Sequence, residues 1–423
     1  MSEKYTAQSG DTLRKISAKT LGTPFRWSDI LAANQWLNDP DRRQAQEAAG
    51  LPDRESLFNT GEIFTIPKEN KFIESGFIGD RPNQYRIILK GPGRTYEVTT
   101  ATELTEIRFM NTLANGFSFT VPWDNPDEDL VYLTREDGYY DAFLYIGGKL
   151  EYQCVVYGFE RSATDSGGRI NKIICYSPTA DAIDSRVEPP YTYNFVTLDR
   201  LIKDNLSRPH AIPVDYEIDD MTKFRQAQAK NTDTIFEFLR KYANQRQAFL
   251  NSTFNGRCRV WRADVDSEPV GTIKEGKQLP LGFTYNYDGR KRFTNYMGIC
   301  ETPAGNLRQT VRDTRVPLTR KTTIQLDGVT TNAELKKAIE WHRNKTDAEA
   351  KKKVFPVVGL YDPNGNLWAE NTTVIIESAT MGSPGGFKYL IEGIERKWGS
   401  TGWTTDLHIA DPLSFSTADI SIQ

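Results

Sequence analysis

The 423-residue chain carries a formal net charge of −3, which offers neither nucleic acid nor an anionic membrane surface a bulk electrostatic target. A hydrophobic share of 38% beside 26% charged residues excludes wholesale disorder. No apolar run approaches the roughly 18–20 residues of a membrane-spanning helix. A chain this long is expected to divide into roughly two to four domains, each burying its own core. The four cysteines, Cys154, Cys175, Cys258 and Cys300, are too scattered for a disulfide scaffold or a zinc knuckle. Cys154 and Cys175 flank the turn at 164–168 and could face each other in a hairpin, but free thiols are the expectation.

The first seventy residues read as a strand, two short helices and a closing strand. Tyr5-Thr6-Ala7-Gln8 leads into Ser9-Gly10-Asp11, Thr12 can cap a helix that starts at Leu13, and a second helix ends at Asn34. Gly61 to Ile66 forms the last strand, stopped by Pro67, which cannot donate to a ladder. This pattern resembles a LysM module, a βααβ fold that in many proteins binds peptidoglycan or chitin. The resemblance implies a site at Gly10, Asp11, Thr12, Leu13, Asn34 and Ile63, serving either glycan binding or docking within an assembly. An insertion near 38–56 lies beside that groove. The opening Met1-Ser2-Glu3-Lys4-Tyr5 lacks the order of a signal peptide, so delivery to a wall by ordinary secretion is not expected and docking is preferred.

Residues 77–190 read as short strands rich in β-branched and aromatic residues: Tyr85–Leu89, Thr95–Thr99, Gly116–Val121, Ala142–Ile146, Leu150–Phe159 and Ile170–Tyr176. Gly-, Pro- and Asp-containing breaks separate them, as a sandwich or small barrel requires. Residues 191–310 change character. Val196–Leu206 and Asp233–Leu250 fit amphipathic helices, the second with a capping box at Thr234 and Glu237, and a strand follows at Arg257–Trp261. In 311–412 a helix opens at Thr331 and Glu334 and runs through Trp341 towards Lys353. A hairpin is expected around Asp362–Asn366, with Phe355–Tyr361 and Leu367–Asn371 as its arms, and strands at Thr373–Ser378 and Phe387–Arg396. Residues 413–423 form a polar tail. The order hints at a duplicated architecture, although no repeat is visible in the sequence.

Catalytic chemistry finds little support. His210, His342 and His408 lack ligand spacing, and His342 is placed on the exposed side of a charged helix. No metal, no cofactor and no catalytic residue is expected. Gly91-Pro92-Gly93 and Gly382–Phe387 lack the Lys-Ser/Thr ending of a phosphate loop. The acidic stretch Asp124–Asp129 reads as a solvated loop, and the Lys/Arg run from Lys336 to Lys353 as a solvated, ion-paired helix face. Trp398 and Trp403 read as core or as interface anchors.

An ordered set of segments resembles the baseplate hub proteins of contractile phage tails, of the Mu-like type related in fold to the T4 hub. They are Tyr145–Gly158, Ile173–Ser185, Asn231–Arg246, Gly256–Arg262, Val357–Asn371 and Gly399–Pro412. Tyr176 departs from the usual Gly-Arg, and Lys230-Asn231 from the usual Gly-Glu. The resemblance implies an α+β, mainly β chain: a LysM domain (1–70), then two antiparallel β-barrel, tube-like domains (77–190 and 311–412) with an α+β domain (191–310) between them. It further implies a non-enzymatic homotrimeric ring that adapts a sixfold tail tube to a threefold central spike. The partners would be spike, tube or tube-initiator and baseplate wedge proteins, with peptidoglycan as an alternative partner of the LysM domain and DNA only as passing cargo. Its place would be the virion tail baseplate, assembled in the host cytoplasm and needed for genome ejection. The alternative reading is a peptidoglycan-binding LysM protein or wall-hydrolase accessory.

Overall fold

The computed structural model describes residues 3–8, 11–21, 30, 33–38, 61–66, 83–163, 168–277, 282–302, 305–326, 329 and 331–415. All of the expected insertion at 38–56 except Asn38, and the tail beyond Phe415, fall outside them. At the N-terminus β1 (Glu3–Thr6) pairs antiparallel with β2 (Ile63–Ile66). Helix α1 (Leu13–Leu21) supplies Leu13 and Ile16 to a small core that includes Ile30, Leu37, Phe64 and Ile66.

The alternating apolar residues of 83–176 fold as β3 (Tyr85–Gly91), β4 (Arg94–Val98), β5 (Glu103–Phe109), β6 (Gly116–Pro122), β7 (Asp141–Ile146), β8 (Lys149–Ala163) and β9 (Arg169–Tyr176). The acidic stretch expected as loop instead opens helix α2 (Glu128–Leu133). Its Asp127 accepts from the Asp129 amide at 2.8 Å, so the local carboxylates cap a helix rather than face water alone. Two short helices follow, α3 (Asp181–Asp184) and α4 (Leu198–Ile202). The helix expected over Val196–Leu206 is thus divided: it begins after Thr197, widens into a π turn at Lys203–Ser207, and closes through α5 (Arg208–His210) at the left-handed Ala211. Around these pack β10 (Thr192–Val196) paired with β12 (Phe224–Gln228), and β11 (Val214–Tyr216) beside β14 (Cys258–Trp261) and β13 (Phe249–Ser252). Helix α6 (Ile235–Gln245) has the expected capping box at Thr234 and Glu237. It stops short of Phe249, because Gln247 turns left-handed and returns the Ala248 amide to the Ala243 carbonyl at 2.9 Å. Phe249 therefore lies on a strand.

The rest of the chain supplies β15 (Thr272–Lys274), β16 (Thr284–Tyr287), β17 (Asn295–Thr302), β18 (Gly305–Arg312), β19 (Lys321–Gln325), α7 (Asn332–Ala350), β20 (Lys351–Val358), β21 (Thr372–Ser378), β22 (Ser383–Gly399) and β23 (Gly402–Ala410). Helix α7 ends at Ala350, short of Lys353, and Lys351–Val358 is already strand. The hairpin expected around Asp362–Asn366 closes locally, Asp362 Oδ1 accepting from the Asn364 and Asn366 amides. Its arms do not pair as strands: only Tyr361 bridges Leu367, because β20 takes β23 as its neighbour.

Most strands join one curled, half-barrel sheet of 13 strands, and the chain is mainly β. The path runs β16-β20-β23-β22-β5-β6-β9-β8-β7-β3-β4, with β21 attached to β22 and β15 to β21. Two runs in it share one strand order, β5-β6-β9-β8-β7-β3 and β16-β20-β23-β22-β21-β15. Each is built on a long strand with a bulge just before a glycine, at Val156/Gly158 and at Ile391/Gly393. Aligning the registers lays Val-Val-Tyr-Gly-Phe-Glu-Arg (155–161) over Leu-Ile-Glu-Gly-Ile-Glu-Arg (390–396), and Ser177-Pro178 over Asp411-Pro412. Each of those prolines starts a 3-10 turn. This is the internal repeat that sequence reading did not find. The copies are not identical, since β15 pairs parallel with β21 whereas β3 pairs antiparallel with β7.

The bulge register sets Cys175 opposite Val156 rather than opposite Cys154, and both thiols are buried and unbonded. At the foot of α7 an ion network replaces apolar packing. Arg292 meets Asp313 at 2.8 Å and Asp347 at 3.0 Å, Arg315 meets Asp313 at 3.0 Å, and Lys351 meets Asp347 at 2.8 Å. Burial pushes the Asp313 carboxyl up, but the hydrogen bonds from Arg315 and Arg292 outweigh it and hold the group down at about 2.

Two outcomes follow for this framework. A Cβ at Gly393 would sit 2.2 Å from the Phe109 ring, whereas one at Gly158 meets nothing within 4 Å. Gly393→Ala should therefore cost about 1–3 kcal/mol and Gly158→Ala within about 0.5 kcal/mol in denaturant unfolding, and equal costs would contradict the register. Asp313 is depressed in the fold, so its contribution is complete above its ordinary value of 3.8 and is lost as pH falls towards about 2. The stability gap between wild type and Asp313→Asn should hold from pH 7 down to about 4 and then close, as melting temperatures across that range would register.

Candidate functional site

The six residues singled out near the N-terminus have distinct fates. Gly10 lies outside the described residues. Asp11 turns inward, accepting from the Tyr5 hydroxyl and the Gln8 amide, each at 2.8 Å, and from Lys19 at 2.5 Å. Burial works against its charge, yet the bonds from Lys19 and the Gln8 amide keep its carboxyl below the ordinary value. Thr12 caps α1 through a 3.2 Å bond from the Lys15 amide, and Leu13 is core. Asn34 is buried and acts as a short extra strand. Its Nδ2 donates to the Ile30 carbonyl (2.7 Å) and the Thr65 carbonyl (2.8 Å), and its Oδ1 accepts from the Thr65 amide (2.8 Å). Ile63 alone of the five described residues stands out, at 56% exposed. The face of α1 is also engaged, because the Arg14 guanidinium donates to the fully buried Asp141 carboxylate at the start of β7.

Of the two tryptophans singled out, Trp398 is half-buried and Trp403 is buried within this chain. Trp403 is buried, its indole N–H donating to the Asn83 carbonyl at 2.8 Å, and Tyr85 packs edge-on against Trp398 (4.8 Å) and Trp403 (6.0 Å). Both rings sit with the core of the first strand run, so they bind the C-terminal segment to strands hundreds of residues away in sequence. Among the described residues the open flanks of the long sheet path are β4 and β16. The β16 flank carries exposed Tyr285 and Tyr287, with exposed Val358 on the adjoining β20. An edge of that kind is a ready surface for another chain.

Helix α7 is less solvated than its composition suggests. His342 is half-buried, its ring 6.3 Å from Tyr296, and burial followed by Lys345 lowers its basicity. Arg343 is 1% exposed and donates to the Asn344 side chain. Burial pushes the Lys345 ammonium down to about 8, where it lies 5.1 Å from the Trp341 ring and donates to Asn244 Oδ1 at 3.3 Å. The charge pattern of the helix does not reveal this, because Tyr296 on β17 and Asn244 on α6 lie far away in sequence. Trp341, His342 and Lys345 line a cleft of about 310 Å³ between α6, β19 and α7. Among the described residues no group of three or more His, Cys, Asp or Glu is arranged to hold a metal ion.

The fold is similar to that of solved phage tail proteins. The 43 kDa tail protein of prophage MuSo2 from Shewanella oneidensis matches with a TM-score of 0.63 and 21% identity, over 78% of this chain and 99% of its own. The tail protein from Neisseria meningitidis MC58 matches with 0.66 and 16% identity, over 78% and 98%. Prophage tail protein gp18 from Listeria monocytogenes EGD-e matches with 0.51 and 12% identity, over 76% and 94%. No family model and no curated protein matches the chain.

Asn34 makes three hydrogen bonds inside a small core, so Asn34→Ala should open the N-terminal module while the long sheet stays folded. Limited proteolysis should then cut first before residue 83, and Ile63→Ser should leave the wild-type pattern.

Proposed function

We propose that the chain is a structural baseplate hub of a contractile tail. In this reading three copies form a ring that presents six similar β lobes to a sixfold tail tube and a threefold face to a central spike. The supporting observation is a fold similar to tail proteins over nearly their whole length, combined with a strand order used twice in one chain. Two like lobes taken three times give six like surfaces, and closed symmetry avoids runaway filaments. Each lobe is then one tube-like barrel domain, the first at 77–190 and the second built on 311–412 with β15 and β16 added to it from within 191–310. The role needs no catalytic residue, and its place is the tail baseplate of a virion, assembled in a host cytoplasm and used for genome ejection.

Neighbouring wedge proteins are the proposed partners of the N-terminal module, with DNA only as passing cargo. The module is read as a LysM domain that docks rather than grips glycan. Supporting this, Asp11, Thr12, Leu13 and Asn34 are spent on the module's own fold and Arg14 reaches into β7. Obligate rings of this kind bury more than about 2,000 Å² of surface, so the complex should survive dilution. Light scattering on the purified protein should give the mass of three chains, rising by one spike trimer when the cognate spike is added. A stable monomer indifferent to the spike would overturn the reading. Retention of the chain on insoluble peptidoglycan would instead restore glycan binding.

A further inference from the structure

Beyond the hub reading, and independent of it, the cleft beside α7 has the construction of a binding groove. It adjoins a second cleft of about 180 Å³ through Asn244, Gln245, Ala338 and Trp341, so the two run on either side of the end of α6. The first has three cations at its rim and wall, Arg240, Lys241 and Lys345, against one carboxylate, Glu349. The second adds Arg246, Arg262 and Lys337 against Asp220 and Glu334. Both halves thus carry an excess of positive charge in a chain whose net charge is −3.

Three polar atoms of the walls are unspent. Trp341 is 3% exposed, and its indole N–H, a donor and nothing else, has no hydrogen-bond partner. Gln245 Nε2 and Asn111 Oδ1, in the same walls, have none either. A buried unpaired donor is costly, and an incoming acceptor would relieve that cost. Ile324, Leu326 and Ala338 supply an apolar side to the groove.

We propose that this groove docks an extended acidic segment of a partner protein, with one carboxylate entering between the Lys345 ammonium and the Trp341 N–H. A peptide suits the walls because it brings carboxylates for the donors together with backbone N–H and C=O groups for the two side-chain amides. Two adjoining clefts suit an extended chain better than one compact anion. The charges that face Lys345 are Glu349 on its own helix, Arg240 from α6 and Glu392 from β22, with His342 one turn away. Burial has brought its ammonium down to about 8, so it is still charged at neutral pH; an incoming carboxylate would help hold that proton, and the docking should weaken as pH rises past that value.

Calorimetric titration of the full-length protein with an acetylated hexa-aspartate amide tests this. The hexa-asparagine peptide and inorganic phosphate serve as controls. We expect saturable binding of one aspartate peptide per chain, at least tenfold tighter than either control. Lys345→Gln should weaken it about tenfold or more and Trp341→Phe, which keeps the ring, several-fold. Affinity should fall between pH 7 and 9 in wild type and not in Lys345→Gln. Gln245→Leu, at the half-exposed end of α6, replaces Trp341→Phe if that variant melts early. No binding, binding that ignores Lys345→Gln, or phosphate binding as tight as the peptide would each overturn the proposal.

Discussion

One buried ion pair joins the two halves of the molecule. Glu106 on β5 and Arg396 on β22 lie directly opposite one another in the ladder, both essentially inaccessible, with Nη1 and Oε2 2.6 Å apart. Around them Arg108 approaches Glu370 at 3.3 Å and Glu151 at 3.4 Å, so two guanidiniums face three carboxylates. Burial, and then Glu106, raises the proton affinity of Glu151 against the pull of Arg396 and Arg108, and a proton there leaves the cluster neutral. Such a cluster adds little net stability over apolar packing, but removing one partner strands a charge, typically at about 3–5 kcal/mol. A one-residue slip of β5 against β22 would point Glu106 to the other face, so register and charge pairing enforce each other.

That seam also explains how one sheet contains two like runs. Before Gly393 the strand β22 pairs with β21, and after it the same edge pairs with β5. The bulge turns the strand at the handover, and the Phe109 ring fills the space a side chain would have taken. The corresponding first-copy arginine, Arg161, stays exposed and stacks on Phe159 and Trp123. The second copy buries its arginine because a carboxylate strand is added there. Divergence between the copies is therefore concentrated where they meet.

Legibility in the sequence followed the source of each burial. Strands rich in β-branched and aromatic residues were readable, as were the Thr234 and Thr331 helix starts, because the signals are local. Strand β5 was missed because Glu106 and Arg108 occupy positions where a strand reading wants apolar groups, and their partners are Arg396 and Glu370. The repeat was faint for the same reason: Gly-x-Glu-Arg survives in both copies, while the flanking residues answer to different neighbours. Helix α7 misled through Arg343, Asn344 and Asp347, polar residues that are all buried. Of the N-terminal candidates, sequence found Asp11 and Asn34 as special but could not tell a structural hydrogen bond from a ligand contact. The basic groove was invisible, since Trp341 and Lys345 come to share one cleft with Asn244 and Asn111 only after folding.

The same device recurs at three joints between separate elements, beside apolar contacts such as Trp403 against the first strand run. Arg14 with Asp141 ties the N-terminal module to β7, Glu106 with Arg396 ties the strand runs, and Arg292 and Arg315 with Asp313 and Asp347 tie α7 to β17 and β18. Within the units the packing is apolar: Leu, Ile and aromatic clusters with few buried charges. Apolar contact is tolerant of sliding, whereas a desolvated ion pair is satisfied in one arrangement only. A chain assembled from apolar blocks with ionic joints therefore holds its blocks in a set orientation.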